Sequence, residues 1–241
     1  NNLQKRGELT RKHFIASTIV TTDMLLSIAD KYGVDSVSNL LVGFKYIGEQ
    51  VHLRFDKGDQ VFVCGGEESY GGVVGTYARD KDAAAPTLML VELASDLKLE
   101  GRTLLDKLDE LYREHGYFHE ELESVFFHGA KGFDTMKRFM HHMRMNPPKH
   151  IAGMNVVQVR DYITGEEIAE RAEDVLRFEL SEDGRNRVTI RPSGTEPKLK
   201  MYIQVYESST EDLSESKQNA VGRTQELKRD IIDAINTFQG E

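Results

Sequence analysis

The spacing of apolar residues changes part-way along the chain, and this change limits the possible folds more than any other feature. In the first half, short β-rich runs alternate with helical spacing. Phe14 to Val20 (FIASTIV) is rich in β-branched and aromatic residues and reads as a strand. Thr22 or Asp23 then caps a helix with Met24, Leu25, Ile28 and Ala29 on one face, and Gly33 stops it. Val37 to Val42 is a second strand, followed by Gly43 and a helical stretch through Phe55. Gln60 to Cys64 is a short strand ending abruptly in glycines. Asp82 to Leu99 reads as a long apolar helix with Pro86 in its first turn, where a missing N–H costs least, and Thr103 to His115 as an amphipathic one. Strands alternating with helices imply an α/β layer with a mixed or mostly parallel sheet, buried on both faces.

The second half follows a different rule. Gly132 to Met145 is an amphipathic helix ended by Asn146-Pro147-Pro148, because a residue before proline is pushed out of the helical region. Met154–Arg160, Val175–Leu180, Arg187–Arg191 and Leu199–Tyr206 mostly alternate with period two. A final helix runs from about Glu211 to Phe238, with Leu227, Ile231, Ile232 and Ile235 towards the core. This pattern predicts an α+β domain with an antiparallel sheet backed by helices. Two domains are therefore expected, 1–119 and 120–241, with the seam near residues 117 to 125.

Composition narrows the function. The 31 Lys and Arg against 40 Asp and Glu give a net charge of −9, which argues against a general nucleic-acid binder. An anionic small molecule needs only a local basic cluster and stays admissible. The single cysteine, Cys64, forms no internal disulfide, so no oxidising compartment is required, and it reads as a small packed hydrophobe. The longest apolar stretch, Ala83 to Val91, falls short of the roughly 18 residues that span a bilayer, and Asn1 to Arg6 has no signal-peptide character. A cytoplasmic location is expected. The chain also lacks an initiator methionine and is expected to be part of something longer.

Three segments can carry chemistry. In Arg187 to Lys198 (RVTIRPSGTEPK), a strand delivers Arg191 and a tight turn follows. A guanidinium fork binds two phosphate oxygens, Ser193 and Thr195 offer hydroxyls, and Gly194 lets backbone N–H groups approach. The same residues suit an ordinary hairpin turn, but Arg187, Lys198 and Lys200 tilt the reading towards an anion. Gly65 to Gly72 (GGEESYGG) directly follows a strand, where α/β sheets bind ligands. Its carboxylates can accept from vicinal sugar hydroxyls; the competing reading is a solvated loop. In Arg79-Asp80-Lys81-Asp82, Asp82 is a helix cap, while Lys81 can face a phosphate or donate a proton. Lys45, in Gly43 to Gly48 (GFKYIG), sits in a similar strand-to-helix turn. His115 and His119 read as surface histidines, His141 and His142 fall on different sides of their helix, and no zinc pattern is present.

Gly-Glu-Glu-Ser at 66–69, Arg-Asp-Lys-Asp at 79–82 and Arg-Pro-Ser-Gly-Thr-Glu-Pro-Lys at 191–198 occur together in this order, and in this the chain resembles the α-D-phosphohexomutase family. That family includes phosphoglucomutases and phosphomannomutases. The stretch at 43–48 is also similar to its third domain. The resemblance covers essentially the whole chain and implies domains 3 and 4 of a four-domain enzyme. It implies that Gly66, Glu67 and Ser69 belong to a sugar-reading loop, with Lys45 close by. Arg191, Ser193, Gly194 and Thr195, with Lys198, are implied to grip the non-transferring phosphate. Lys81 matches a lysine that faces the active-site phosphate in the phosphoglucomutase branch.

The same resemblance implies what other domains supply. The family's phosphorylated serine stands in a Ser-His-Asn context in the first domain, and its Mg²⁺ is held by an Asp-Gly-Asp-x-Asp loop of the second. Neither pattern occurs here. This chain is thus expected to bind no metal and to have no mutase activity alone. Its expected partners are a hexose phosphate and the missing N-terminal domains, with no nucleic acid and no membrane. The implied parent interconverts hexose 1-phosphate and hexose 6-phosphate through a phosphoserine enzyme and a bisphosphate. A phosphopentomutase or phosphoglucosamine mutase relative, a non-catalytic sugar-phosphate module, and a purely structural domain pair remain open.

Overall fold

The computed structural model describes residues 2–163, 172–208 and 212–240. The chain divides into two units, Asn1–His115 and Gly116–Glu241. The first contains α1 (Asn2–Lys5), β1 (His13–Thr18), α2 (Met24–Lys31), β2 (Asp35–Leu40), α3 (Phe44–Val51), β3 (Val61–Gly66), β4 (Gly72–Val74), α4 (Ala84–Leu99) and α5 (Leu104–His115). Its sheet has the order β2-β1-β3-β4, with β1 parallel to both neighbours and β4 antiparallel to β3. Gly33, at φ 63, closes α2 as the Val34 N–H reaches back to the Ala29 carbonyl at 2.9 Å. Thr22, rather than Asp23, supplies the cap: its hydroxyl accepts from the Met24 N–H at 3.2 Å.

A π-helical turn, His52–Asp56, extends α3 towards β3. Its Arg54 guanidinium lies over the Phe14 ring, which meets Phe62 at 5.3 Å. Gly65 is required where this layer closes, since a Cβ there would stand 2.8 Å from Ile47 Cγ2. The sheet is not buried throughout. Val61 is 38% exposed, and on α4 Leu88, Leu90 and Val91 are exposed while only Leu97 is buried. Apolar residues surround α4 instead of forming one stripe, so its contacts with β4 and α5 cover only part of them.

The second unit contains β5 (Tyr117–Phe126), α6 (Gly132–Met145), β6 (His150–Ile151), β7 (Met154–Asn155), β8 (Gln158–Asp161), β9 (Leu176–Glu179), β10 (Arg187–Pro192), β11 (Lys198–Glu207) and α7 (Leu213–Gly240). Its five-stranded sheet is antiparallel, in the order β5-β11-β10-β9-β8. Alternate residues Leu199, Met201, Ile203 and Val205 of β11 are buried, as are Leu227, Ile231 and Ile235 of α7, which packs on β11 and β5. Ile232 is only half-buried. Phe127, Phe139 and Met140 add to this core from the α6 side.

Three sequence readings need correction. The segment near 117–125 is strand β5, paired with β11 along its whole length from Tyr117↔Glu207 to Phe126↔Lys198, and the units divide before it. Glu120, Glu121 and Glu123 interrupt its period-two pattern. Met154–Arg160 is two short strands, because the Val156 and Val157 N–H groups turn to the carbonyls of Lys149 and Glu179. His115 is not a surface residue: it is buried, with Nδ1 3.0 Å from the Ser27 hydroxyl.

Candidate functional site

The chain leaves β1 on one side to form β2 and returns over it to form β3. In an open sheet such a reversal opens a crevice at the carboxyl ends of the strands concerned. Here those ends are Thr18 of β1 and Gly66 of β3. After β1 the chain turns sharply, with the buried Thr18 and Thr21 hydroxyls 2.9 Å apart. Loop 67–71 follows β3, closed by the Glu67 N–H donating to the Gly71 carbonyl at 2.8 Å. Tyr70 takes the left-handed conformation at φ 62, unusual for a non-glycine residue, and its side chain is fully exposed. Glu67 and Glu68 are half-buried and Ser69 is exposed.

Gly71 brings two of the expected site residues together. A Cβ there would lie 2.6 and 2.8 Å from Lys81 Cδ and Cγ, and 3.1 Å from Glu67 Oε2. The Lys81 stem thus lies on the loop that carries Glu67. Its ammonium is 3.0 Å from Asp80 Oδ1 and 5.4 Å from the centre of the Phe44 ring. The Asp80 hydrogen bond raises the Lys81 pKa, and the negative charges of Asp80 and Glu67 add to the effect. Lys81 is held as a cation, which suits an anion contact better than proton donation. Asp82 caps α4 as expected, accepting from the Ala84 and Ala85 N–H groups at 3.1 and 2.9 Å. Lys45 stands in the first turn of α3 with its ammonium over the Tyr46 ring at 4.7 Å.

In the second unit, the β10–β11 hairpin carries the other segment. Arg191 pairs across the ladder with Lys200, which puts two cations side by side on one sheet face. Arg191 Nε lies 3.5 Å from Glu173 Oε2. The turn closes through the Ser193 N–H to the Lys198 carbonyl at 2.9 Å, and Thr195 N–H leans on the Ser193 hydroxyl at 3.4 Å. Phe127 N–H donates to the Pro197 carbonyl at 2.8 Å, fixing the turn against the end of β5. Gly194 is not left-handed and a Cβ there would meet nothing within 4 Å, so its role is to leave the hairpin tip bare. Lys198 is ion-paired with Glu196 at 2.5 Å, which diverts part of its charge from any ligand.

The sequence reading missed the Thr18–Thr22 turn and the Phe44 ring beneath Lys81; a Thr-Thr-Asp run directly after a strand was the available signal. Desolvation pushes the Cys64 thiol's pKa up, away from reactivity. Among the described residues, no group of three or more His, Cys, Asp or Glu side chains is placed to hold a metal ion. No helix among them is long and apolar enough to cross a membrane.

Known proteins are similar to this chain. Residues 1–115 match the family model for the phosphoglucomutase/phosphomannomutase alpha/beta/alpha domain III, and residues 154–217 match that for the C-terminal domain. A phosphoglucomutase of Staphylococcus aureus (strain N315) is 33% identical over 213 residues, covering 84% of this chain and 37% of the relative. One from strain USA300 is 32% identical over 226 residues, covering 88% and 39%. The open-form crystal structure of the exocytosis-sensitive phosphoprotein pp63/parafusin, a phosphoglucomutase from Paramecium, superposes with a TM-score of 0.65 at 18% identity, over 94% of this chain and 38% of that one. The chain belongs to the phosphoglucomutase/phosphomannomutase family and carries its domain III and C-terminal domain. It spans 37% of the length of the first of these relatives.

Proposed function

We propose that this chain is the substrate-holding half of a hexose-phosphate mutase. In this reading Glu67 accepts hydrogen bonds from sugar hydroxyls and Ser69 donates or accepts them, with Gly66 at the margin of the loop and Lys45 as a further substrate contact. Lys81 faces an anionic oxygen. Arg191, Ser193, the bare backbone at Gly194 and Thr195 hold the phosphate that is not being transferred, with Lys198 in a lesser role. The observation that carries the reading is the packing of Lys81 onto Gly71 beside Glu67, because it joins a cation and a carboxylate at the strand ends where α/β sheets bind ligands.

Both loops position the ligand and break no bonds. A bidentate guanidinium gives affinity at one end of a substrate and leaves the other free to react. A mutase needs this division, because the sugar must bind in two orientations while the idle phosphate stays held. The parent enzyme is proposed to interconvert hexose 1-phosphate and hexose 6-phosphate through a phosphoserine and a bisphosphate. The serine and the Mg²⁺ belong to domains outside this chain, so the chain alone is proposed to show no turnover. The test is an NMR titration with glucose 1-phosphate, inorganic phosphate and glucose in separate experiments. Phosphate is expected to shift Arg191–Lys198, and only the sugar phosphate should also shift Glu67–Ser69. Equal responses at both loops to glucose and to glucose 1-phosphate would overturn the assignment.

A further inference from the structure

Lys81 lies in a segment without regular structure between β4 and α4. Something outside the segment must therefore fix where its side chain goes. Arg79, two residues earlier, is docked twice. Its Nη2 donates to both oxygens of Asp56, at 2.9 and 3.1 Å. Its backbone carbonyl sits so close to α3 that a Cβ at Gly48 would stand 2.6 Å from the oxygen. Arg79 Nη1 also donates to the carbonyls of Thr76 and Ala78, the latter at 3.3 Å, which folds the segment onto itself. Beyond Lys81, the Asp82 N–H donates to the Gly72 carbonyl at 2.9 Å. Lys81 is thus held from both sides, and the Asp80 carboxylate bonds its N–H at 2.7 Å and its ammonium at 3.0 Å.

We propose that Asp56, presented by the π-helical turn, is a positioning residue that sets Lys81 against the Glu67 loop by way of Arg79; the inference rests on the reading of Glu67 and Lys81 as a sugar-phosphate site. The turn matters because its wider winding, with the Lys57 N–H reaching the His52 carbonyl at 3.1 Å, ends α3 on Asp56 facing Arg79. His52 Nδ1, 3.1 Å from Asp56 Oδ2, orients the carboxylate from within the same turn. An exposed ion pair adds little to stability, so the value of this one is geometric. Nη2 on Asp56 and Nη1 on the Thr76 and Ala78 carbonyls fix the direction of the Arg79 side chain, and the tight Gly48 contact fixes its backbone. Two residues later, little freedom remains for Lys81.

The experiment uses the 241-residue chain and its D56N, D56E and R79K variants, with E67A and K81A as references. In the absence of ligand, D56N and R79K are expected to shift the Lys81 side-chain NMR signals and the Glu67–Gly71 amides, with D56E closer to wild type. Affinity for glucose 1-phosphate should fall about fivefold in D56N and R79K, with inorganic phosphate binding essentially unchanged and the melting temperature lowered by no more than about 2 °C. If D56N and R79K leave the ligand-free Lys81 signals in place, the positioning role is wrong whatever the ligand does. If those signals move and E67A and K81A still bind glucose 1-phosphate like wild type, the site reading fails while the Asp56-to-Lys81 link stands. Wild-type affinity in D56N and R79K beside a loss in E67A and K81A would overturn the proposal.

Discussion

At Gly71 a single missing carbon decides whether Lys81 can lie beside Glu67. The position is not left-handed, so alanine fits the backbone, but its Cβ would strike the Lys81 methylenes. The long side chain is the part able to move. Gly71→Ala is therefore expected to leave melting nearly unchanged and to weaken glucose 1-phosphate binding by about 1 kcal/mol, read by isothermal titration. Arg191 is a different case, because the group at stake is a charge and not a space. Arg191→Ala should cost about 1.5–3 kcal/mol of sugar-phosphate and inorganic phosphate binding alike. Unchanged affinity for both ligands would remove Arg191 from the site.

Among the elements, the π-helical turn is the one whose chemistry responds to pH. The hydrogen bonds from His52 and then Arg79 hold the Asp56 carboxyl below its usual range. A lowered folded-state pKa gives stability that is present above the unfolded value of about 4 and is lost as pH falls through the folded one. Acid unfolding followed by circular dichroism should thus show a shallower loss below pH ~4 in D56N than in wild type. The turn was not legible in the sequence, where residues 44–55 read as one helix; its winding depends on where β3 and Arg79 stand. By contrast, α6 was readable to the residue, since Pro147 and Pro148 end it locally. β5 was hidden for another reason. Glu120, Glu121 and Glu123 interrupt its period, and only the distant partner β11 shows that they belong to a strand. The two candidate loops were legible as residues in order, but the contact between Lys81 and Gly71 was not, because it depends on the path from β4 to α4.

For the molecule as a whole, the surface of α4 has a measurable effect. Leu88, Leu90, Val91 and Leu99 are exposed around α4 of the folded first unit, a concentration of apolar side chains beyond the single exposed residues that are ordinary. The native chain is expected to enhance the fluorescence of 8-anilinonaphthalene-1-sulfonate. Leu88→Lys with Val91→Lys should remove most of that signal and move the melting temperature by no more than about 2 °C. A signal that survives both changes would place the dye elsewhere. The second unit has a different dependence, on time. β5 opens that unit, and its neighbour β11 is the last strand among the described residues, with Tyr117 paired to Glu207. On a ribosome the first unit can close its sheet as soon as β4 has emerged, whereas β5 must wait for nearly all the remaining chain to be made. Ribosome stalling or truncation before β11 would therefore leave a finished first unit followed by an unpaired strand, the form most open to chaperones and proteases.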